Sequence, residues 1–331
     1  GLRNTIDGTI GAEGHQIPTL AFAMFQLTFA IITVALLSGA IADRVKFSSW
    51  LIFVGAWITL VYIPVSHWVF APGGWISSKL GALDFAGGTV VEINSGASAL
   101  ALVLVIGKRI GFRRDPMRPH NIPLVLLGAG MLWFGWFGFN AGSALAVTPV
   151  MALAFFNTHL AAATASLTWL FLDWKVYGKP KFVGFLTGGV AGLVAITPGA
   201  GYVAPGSSAL IGIFASIICF YAVVVKNNFG WDDALDVWGV HGVGGVWGSI
   251  AVGIFAQTTW NSAAPNGVLN GGHFGFLATQ VGATMVAIGY AFVMTYVILW
   301  ITNKITRVKV AGHLEEKGLD EALHGEIAYD D

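Results

Sequence analysis

Two ionisable side chains stand in stretches that are otherwise apolar. Glu92 lies in Asp84-Phe-Ala-Gly-Gly-Thr-Val-Val-Glu92-Ile-Asn94, and His241 in Asp236-Val-Trp-Gly-Val-His241-Gly-Val-Gly-Gly245. A charge at mid-bilayer costs about 3 to 10 kcal/mol or more, so such groups usually face one another or a polar cavity. A carboxyl and an imidazole can pass a proton between them, and when hydrogen-bonded they titrate as a coupled pair. The plainer reading is a buried glutamate-to-histidine hydrogen bond that fastens two helices. Asp84 and Asp236 stand at the starts of the same two segments and read as structural acids facing helix dipoles. His67 and His159 read as helix contacts and stay outside the candidate site.

Aromatic residues supply a second signal. Phe25 and Phe29 are four residues apart and share a helix face, while Trp133, Trp136 and Phe139 crowd the approach to Ser143. Aromatic stripes of this kind ordinarily pack cores or mark membrane interfaces. Next to Glu92 and His241 they gain another reading, in which a small cation is held on ring faces by cation–π attraction above an apolar lane.

The surrounding elements must be membrane helices. The chain has 331 residues, 56% hydrophobic and only 10% charged, with a mean hydropathy of +0.73. Charge normally makes up about a quarter of a soluble domain, so a water-soluble enzyme is excluded. Seventeen basic residues balance seventeen acidic ones, which leaves no footprint for nucleic acid. The single cysteine, Cys219, builds neither a disulfide framework nor a thiolate metal site. No H-E-x-x-H spacing supports a membrane metallohydrolase, so neither a metal nor a cofactor is expected. Spacings such as Gly184, Gly188 and Gly192 let helix backbones approach closely in lipid.

Nine stretches are long and apolar enough to cross the bilayer, near residues 17–42, 48–71, 86–106, 122–146, 150–172, 182–203, 208–226, 236–256 and 277–302. Fifteen basic residues, including Arg44, Arg109, Lys181, Lys226 and Lys309, fall in alternate loops and the tail, against Arg3 and Lys79 on the other side. By the positive-inside rule the start lies outside and the tail lies in the cytoplasm. The expected organisation is an outer loop-like segment (1–16), a transmembrane transport domain (17–302) and a short cytoplasmic regulatory tail (303–331).

At these residues the chain resembles the Amt/Mep/Rh ammonium transporter family, and within it the prokaryotic Amt-type proteins. The strings GALDFAGGTVV (81–91), IGKRIGF (106–112), WFGFNAGSA (136–144), AGLVAITPGAG (191–201), DVWGVHGVGG (236–245) and GLDEALHGEIAY (318–329) recur in family order. The resemblance implies a homotrimer of eleven-helix, inverted-repeat subunits in the plasma membrane, each with its own pore and no enzymatic activity. It implies ammonium, ammonia and methylammonium as substrates, and a PII-type signalling protein as a partner of the tail. Carried over residue by residue, it makes Phe25, Phe70 and Ser143 the ammonium recruitment site, Phe29 and Phe139 a stacked phenyl gate, and Glu92 with His241 the twin pore site. Asp84, Trp136 and Asp236 become supporting residues. An ammonium sensor on the same fold is the alternative; such receptors usually carry an output domain that this tail lacks.

Two positions depart from the family pattern, and so does the start of the chain. Glu92 stands where the first twin histidine is usual, a substitution seen in some fungal members. Phe70 stands where the recruitment tryptophan is usual, beside two extra residues at Ala71 and Pro72. The first two family helices have no counterpart, because Gly1 to Gln16 resemble the loop before the third helix. Half of a pseudo-symmetric pore would then expose polar lining to lipid. The expectation is that the natural chain begins earlier, and an intact mass near 34.9 kDa for the purified protein would contradict it.

Overall fold

The chain is seen in a computed structural model that describes residues 6–11, 14–115 and 117–327. Arg3, the start of the outer segment and the last residues of the tail motif lie outside the described residues. A short hairpin of β1 (Thr9–Ile10) and β2 (Ile17–Pro18) leads into α1 (Thr19–Ala40). Then follow α2 (Phe47–Trp57), a π-helical turn (Ile58–Tyr62), α3 (Ile63–Phe70) and a second π-helical segment (Trp75–Leu80). The next crossing begins with a π-helical turn (Gly88–Ile93) and continues as α4 (Asn94–Ile106). Helices α5 (Ile122–Gly142), α6 (Pro149–Tyr177), α7 (Phe182–Ile196) and α8 (Pro205–Phe229) come next. A π-helical turn (Trp238–Gly242) opens α9 (Val243–Phe255), and α10 (Phe274–Ile305) and α11 (Gly312–Lys317) complete the set. Among the described residues, eight helical segments are long and apolar enough to span a membrane, and α7 is a shorter apolar helix.

Local chemistry sets the ends. The Asn121 side chain accepts the Leu124 N–H at 3.0 Å, and Pro123 occupies the first turn of α5. Glycines with positive φ, Gly178 and Gly230, close α6 and α8. Helix α7 stops at Ile196 instead of running to 203: Thr197 keeps helical dihedrals, but Pro198 has no N–H with which to continue the ladder. The Thr197 hydroxyl instead turns back onto the Leu193 carbonyl. The second crossing breaks at 71–74, where Pro72-Gly73-Gly74 interrupts the helix and Gly73 has a φ of 82°. Helix α6 outruns its expected end at 172, since Asp173 is buried and within 3.9 Å of Lys181.

The two interrupted crossings run in opposite directions through the centre of the bundle. Gly88–Ile106 ends at a basic face, where Arg44 donates to the Gly107 carbonyl. Trp238–Phe255 begins at that face and ends at the opposite one, where Ala256 pairs with Val203. They cross at glycine. A Cβ on Gly96 would run into the Gly242 backbone, and one on Gly88 would sit 2.5 Å from Pro198. Trp57 ties the crossing to the outer helices, donating to Thr295 of α10 at 2.9 Å and to Ser98 of α4 at 3.2 Å. Gly96→Ala is therefore expected to lower the detergent melting temperature or prevent folding, since over-packing costs about 1–3 kcal/mol or more. Gly55→Ala, where a Cβ meets nothing within 4 Å, should be neutral or stabilising. Equal melting temperatures for the two variants would contradict the close crossing.

The basic face is a built surface. Arg44 is fully buried and donates to the carbonyls of Ala40, Ala42, Gly107 and Asp232. Arg109 holds the Asp232 carboxylate at 2.6 Å. Burial pushes the Asp232 carboxyl up, but its bonds from Arg109 and the nearby Arg44 hold it below its usual range. The tail docks here: Val308 and Val310 are buried, Lys309 bridges to Val45, and Glu315 accepts the Ile110 N–H at 2.6 Å.

Candidate functional site

Glu92 and His241 meet where the two interrupted crossings meet. His241 Nδ1 and Glu92 Oε2 are 2.7 Å apart, and both side chains are buried. Each sits in a π-helical turn, a widened geometry that often marks functional positions. The second carboxylate oxygen, Oε1, is buried without a hydrogen-bond partner among the described residues. Gly245 lies against the Glu92 Cβ, so the carboxylate reaches His241 only because no side chain intervenes.

Asp84 organises the start of the Glu92 segment. Its Oδ1 accepts the N–H groups of Gly87 and Gly88 at 2.8 and 2.7 Å, and its Oδ2 those of Thr89 and Val90 at 2.7 and 3.3 Å. All the donors at this helix start are thereby gathered by one side chain. Gln280 of α10 braces the residue before it, exchanging bonds of 2.7 and 2.9 Å with the Leu83 backbone and donating to Ser249 of α9 at 3.2 Å.

The aromatic residues form a column that packs with the sequence neighbours of this pair: Phe29 clusters with Val90 and Val91, and Trp136 with Val240. Phe29 is 1% exposed and stacks on Phe139, with centroids 4.5 Å apart and planes 18° apart. Phe25 meets Phe29 edge-on at 4.8 Å, and Phe70 meets it edge-on at 6.1 Å. Trp136 lies 5.3 Å from Phe139 and is pinned by its Nε1 donating to the Thr197 hydroxyl at 2.8 Å. The Ser143 hydroxyl donates to the Phe139 carbonyl at 2.7 Å, which leaves its oxygen free to accept. A largely apolar pocket of 720 Å³ opens beside Phe25, lined by Pro18, Ala21, Ala141, Gly142 and Leu145; it does not reach Glu92 or His241.

The acid in front of His241 has a different arrangement from the one read in the sequence. Asp236 has a φ of 60° and its carboxylate pairs with Lys226. The side chain that accepts the Trp238 N–H, at 2.7 Å, belongs to Asp233. Asp233 precedes His241 by the same eight residues that separate Asp84 from Glu92, a spacing that marks it in the sequence. Gln280, Thr197 and Arg44 carry no comparable signal. His159 packs on Trp133, with centroids 5.5 Å apart, as a helix contact. Among the described residues, no group of three or more His, Cys, Asp or Glu side chains could hold a metal ion.

The family model described as Ammonium Transporter Family matches residues 5–329. A Bacillus subtilis protein named an ammonium transporter is 46% identical over 97% of this chain and 78% of its own length. The crystal structure of Candida albicans Mep2 superposes with a TM-score of 0.84 at 38% identity, covering 90% of this chain and 67% of that one. A structure named Sensor Amt Protein gives a TM-score of 0.84 at 33% identity, covering 92% and 77%. With its membrane-crossing helices, the protein is a multi-pass membrane protein. The sequence match along almost the whole chain and the shared architecture place it together with these proteins: it belongs to the ammonium transporter family, a family of transporters and not of enzymes.

Proposed function

We propose that the chain carries ammonium nitrogen across a cell membrane by way of the aromatic column and the Glu92–His241 pair. The observation that carries this reading is the 2.7 Å contact between two ionisable side chains buried at the helix crossing. Ammonium entering an apolar lane must have its water replaced or lose its charge, since an isolated ion in low dielectric costs tens of kcal/mol. Phe25 and Phe70 offer ring faces, and Ser143 offers an acceptor oxygen. The cation gives up a proton near the Phe29–Phe139 stack, and neutral ammonia continues past Glu92 and His241. The proton passes through the hydrogen-bonded pair, which returns to its starting state when it is delivered onward, so the cycle moves net charge.

On this reading the basic face is cytoplasmic and the hairpin end lies outside, in keeping with the distribution of Lys and Arg. Three copies form the assembly, and the docked tail offers a cytoplasmic surface to a PII-type protein. Pull-down with and without residues 312–331 tests that partner. The TM-score of 0.84 to a protein named as a sensor supports a second reading, binding with little flux. Proteoliposomes separate the two: a transporter takes up labelled methylammonium, inhibited by ammonium, and gives ammonium-evoked current on a supported membrane. Saturable binding without uptake or sustained current would favour the sensor.

A further inference from the structure

The two segments that carry Glu92 and His241 share one plan. Glu92 and His241 are 149 positions apart, and the same offset relates Asp84 to Asp233, Gly96 to Gly245, and Ile106 at the end of α4 to Phe255 at the end of α9. Because the segments run oppositely, Asp84 and Asp233 stand at opposite faces. Asp84 fills both its oxygens with four backbone N–H groups. Asp233 is 1% exposed, accepts the Trp238 N–H with Oδ2, and leaves Oδ1 buried without a partner among the described residues.

We propose that Asp233 is the positioning residue for His241: it holds the first turn of Trp238–Gly242 at the basic face, as Asp84 holds the start of the Glu92 segment, and so sets the imidazole against the carboxylate. This rests on the Glu92–His241 pair being the transport pair. The groups facing Asp233 are Lys226 of α8, Asp236 in its own loop, and Arg44 and Arg109 around the adjoining Asp232. Burial pushes the Asp233 carboxyl up to about 6, with Lys226 opposing and Asp236 adding to the rise. An acid held above its unfolded value favours the folded state most when protonated. Its contribution is full below about pH 4 and lost as pH rises through about 6.

The test measures labelled methylammonium uptake by Asp233→Ala and Asp233→Asn proteoliposomes between pH 5 and 8. Asp233→Ala should lower the maximal rate about five- to tenfold, the effect of one lost cap, and shift the pH profile. The KM should stay within about twofold, because Phe25, Phe70 and Ser143 lie in a separate part of the molecule. Asp233→Asn, whose amide oxygen still accepts the Trp238 N–H, should recover most of the rate but lose any inflection near pH 6. Wild-type rate and pH profile in Asp233→Ala, or no recovery in Asp233→Asn, would overturn the assignment. If Asp233→Ala does not fold, Asp233→Asn decides: a pH dependence identical to wild type overturns it, and a flattened one with KM kept supports it. Glu92→Ala is run alongside. If it transports normally, the reading of the pair falls; if it is inactive while Asp233→Ala is normal, only the role of Asp233 falls.

Discussion

Glu92→His should retain ammonium-driven current, cut potassium leak by at least about tenfold and shift the pH profile of transport. In the native pair one carboxylate oxygen meets His241, and the other is buried without a partner among the described residues. When ionised, that carboxylate places negative charge beside the lane. Two unit charges 4 Å apart interact by about 4 kcal/mol at an effective dielectric of 20. Relative to a neutral pair of imidazoles, this lowers the barrier to a bare cation by more than the tenfold that the leak measurement reads. Histidine keeps a proton site and removes the negative charge, so selectivity should change more than flux. The comparison is made in proteoliposomes, with potassium flux and ammonium current recorded across pH. If neither potassium leak nor pH profile moves, the negative charge of Glu92 plays no part in selection.

Asp84→Ala is expected to remove most folded protein, and with it all transport. Four backbone N–H groups donate to this carboxylate. Each buried donor left unsatisfied costs about 1–3 kcal/mol, against a net stability of about 5–15 kcal/mol for a typical domain. Asp84→Asn should fall between, because its amide keeps one acceptor oxygen and turns an NH₂ group toward the remaining N–H donors. Yield of monodisperse protein and melting temperature in detergent measure both variants. Wild-type values for Asp84→Ala would mean that the four contacts do not hold the Glu92 segment in place.

Much of this arrangement is legible from residue type alone. The crossings show themselves by hydropathy, and Glu92 and His241 by being ionisable where charge is costly. What the sequence hides is what depends on distant contacts. Phe29 and Phe139 lie on different helices, so no periodicity reveals that their rings stack at 4.5 Å; the family resemblance supplies that pairing. Pro198 ends α7 early, although hydropathy continues to 203. Asp236 is adjacent to the apolar run and therefore draws attention as its leading acid, yet Lys226 takes its carboxylate and Asp233 reaches Trp238. Arg44 resembles any loop arginine in the sequence, but folding buries it as donor to carbonyls from separate loops. The tail is polar overall, which masks Val308 and Val310 as anchors.

The functional account depends on Glu92 and His241 acting as one unit in flux and not only as a clasp between helices. The direct measurement is ammonium-evoked current on supported membranes for wild type, Glu92→Ala, His241→Ala and the double variant, each first verified as folded by its melting temperature. The account predicts that either single variant loses nearly all current and that the double variant loses no more. Folded single variants that carry wild-type current would contradict it.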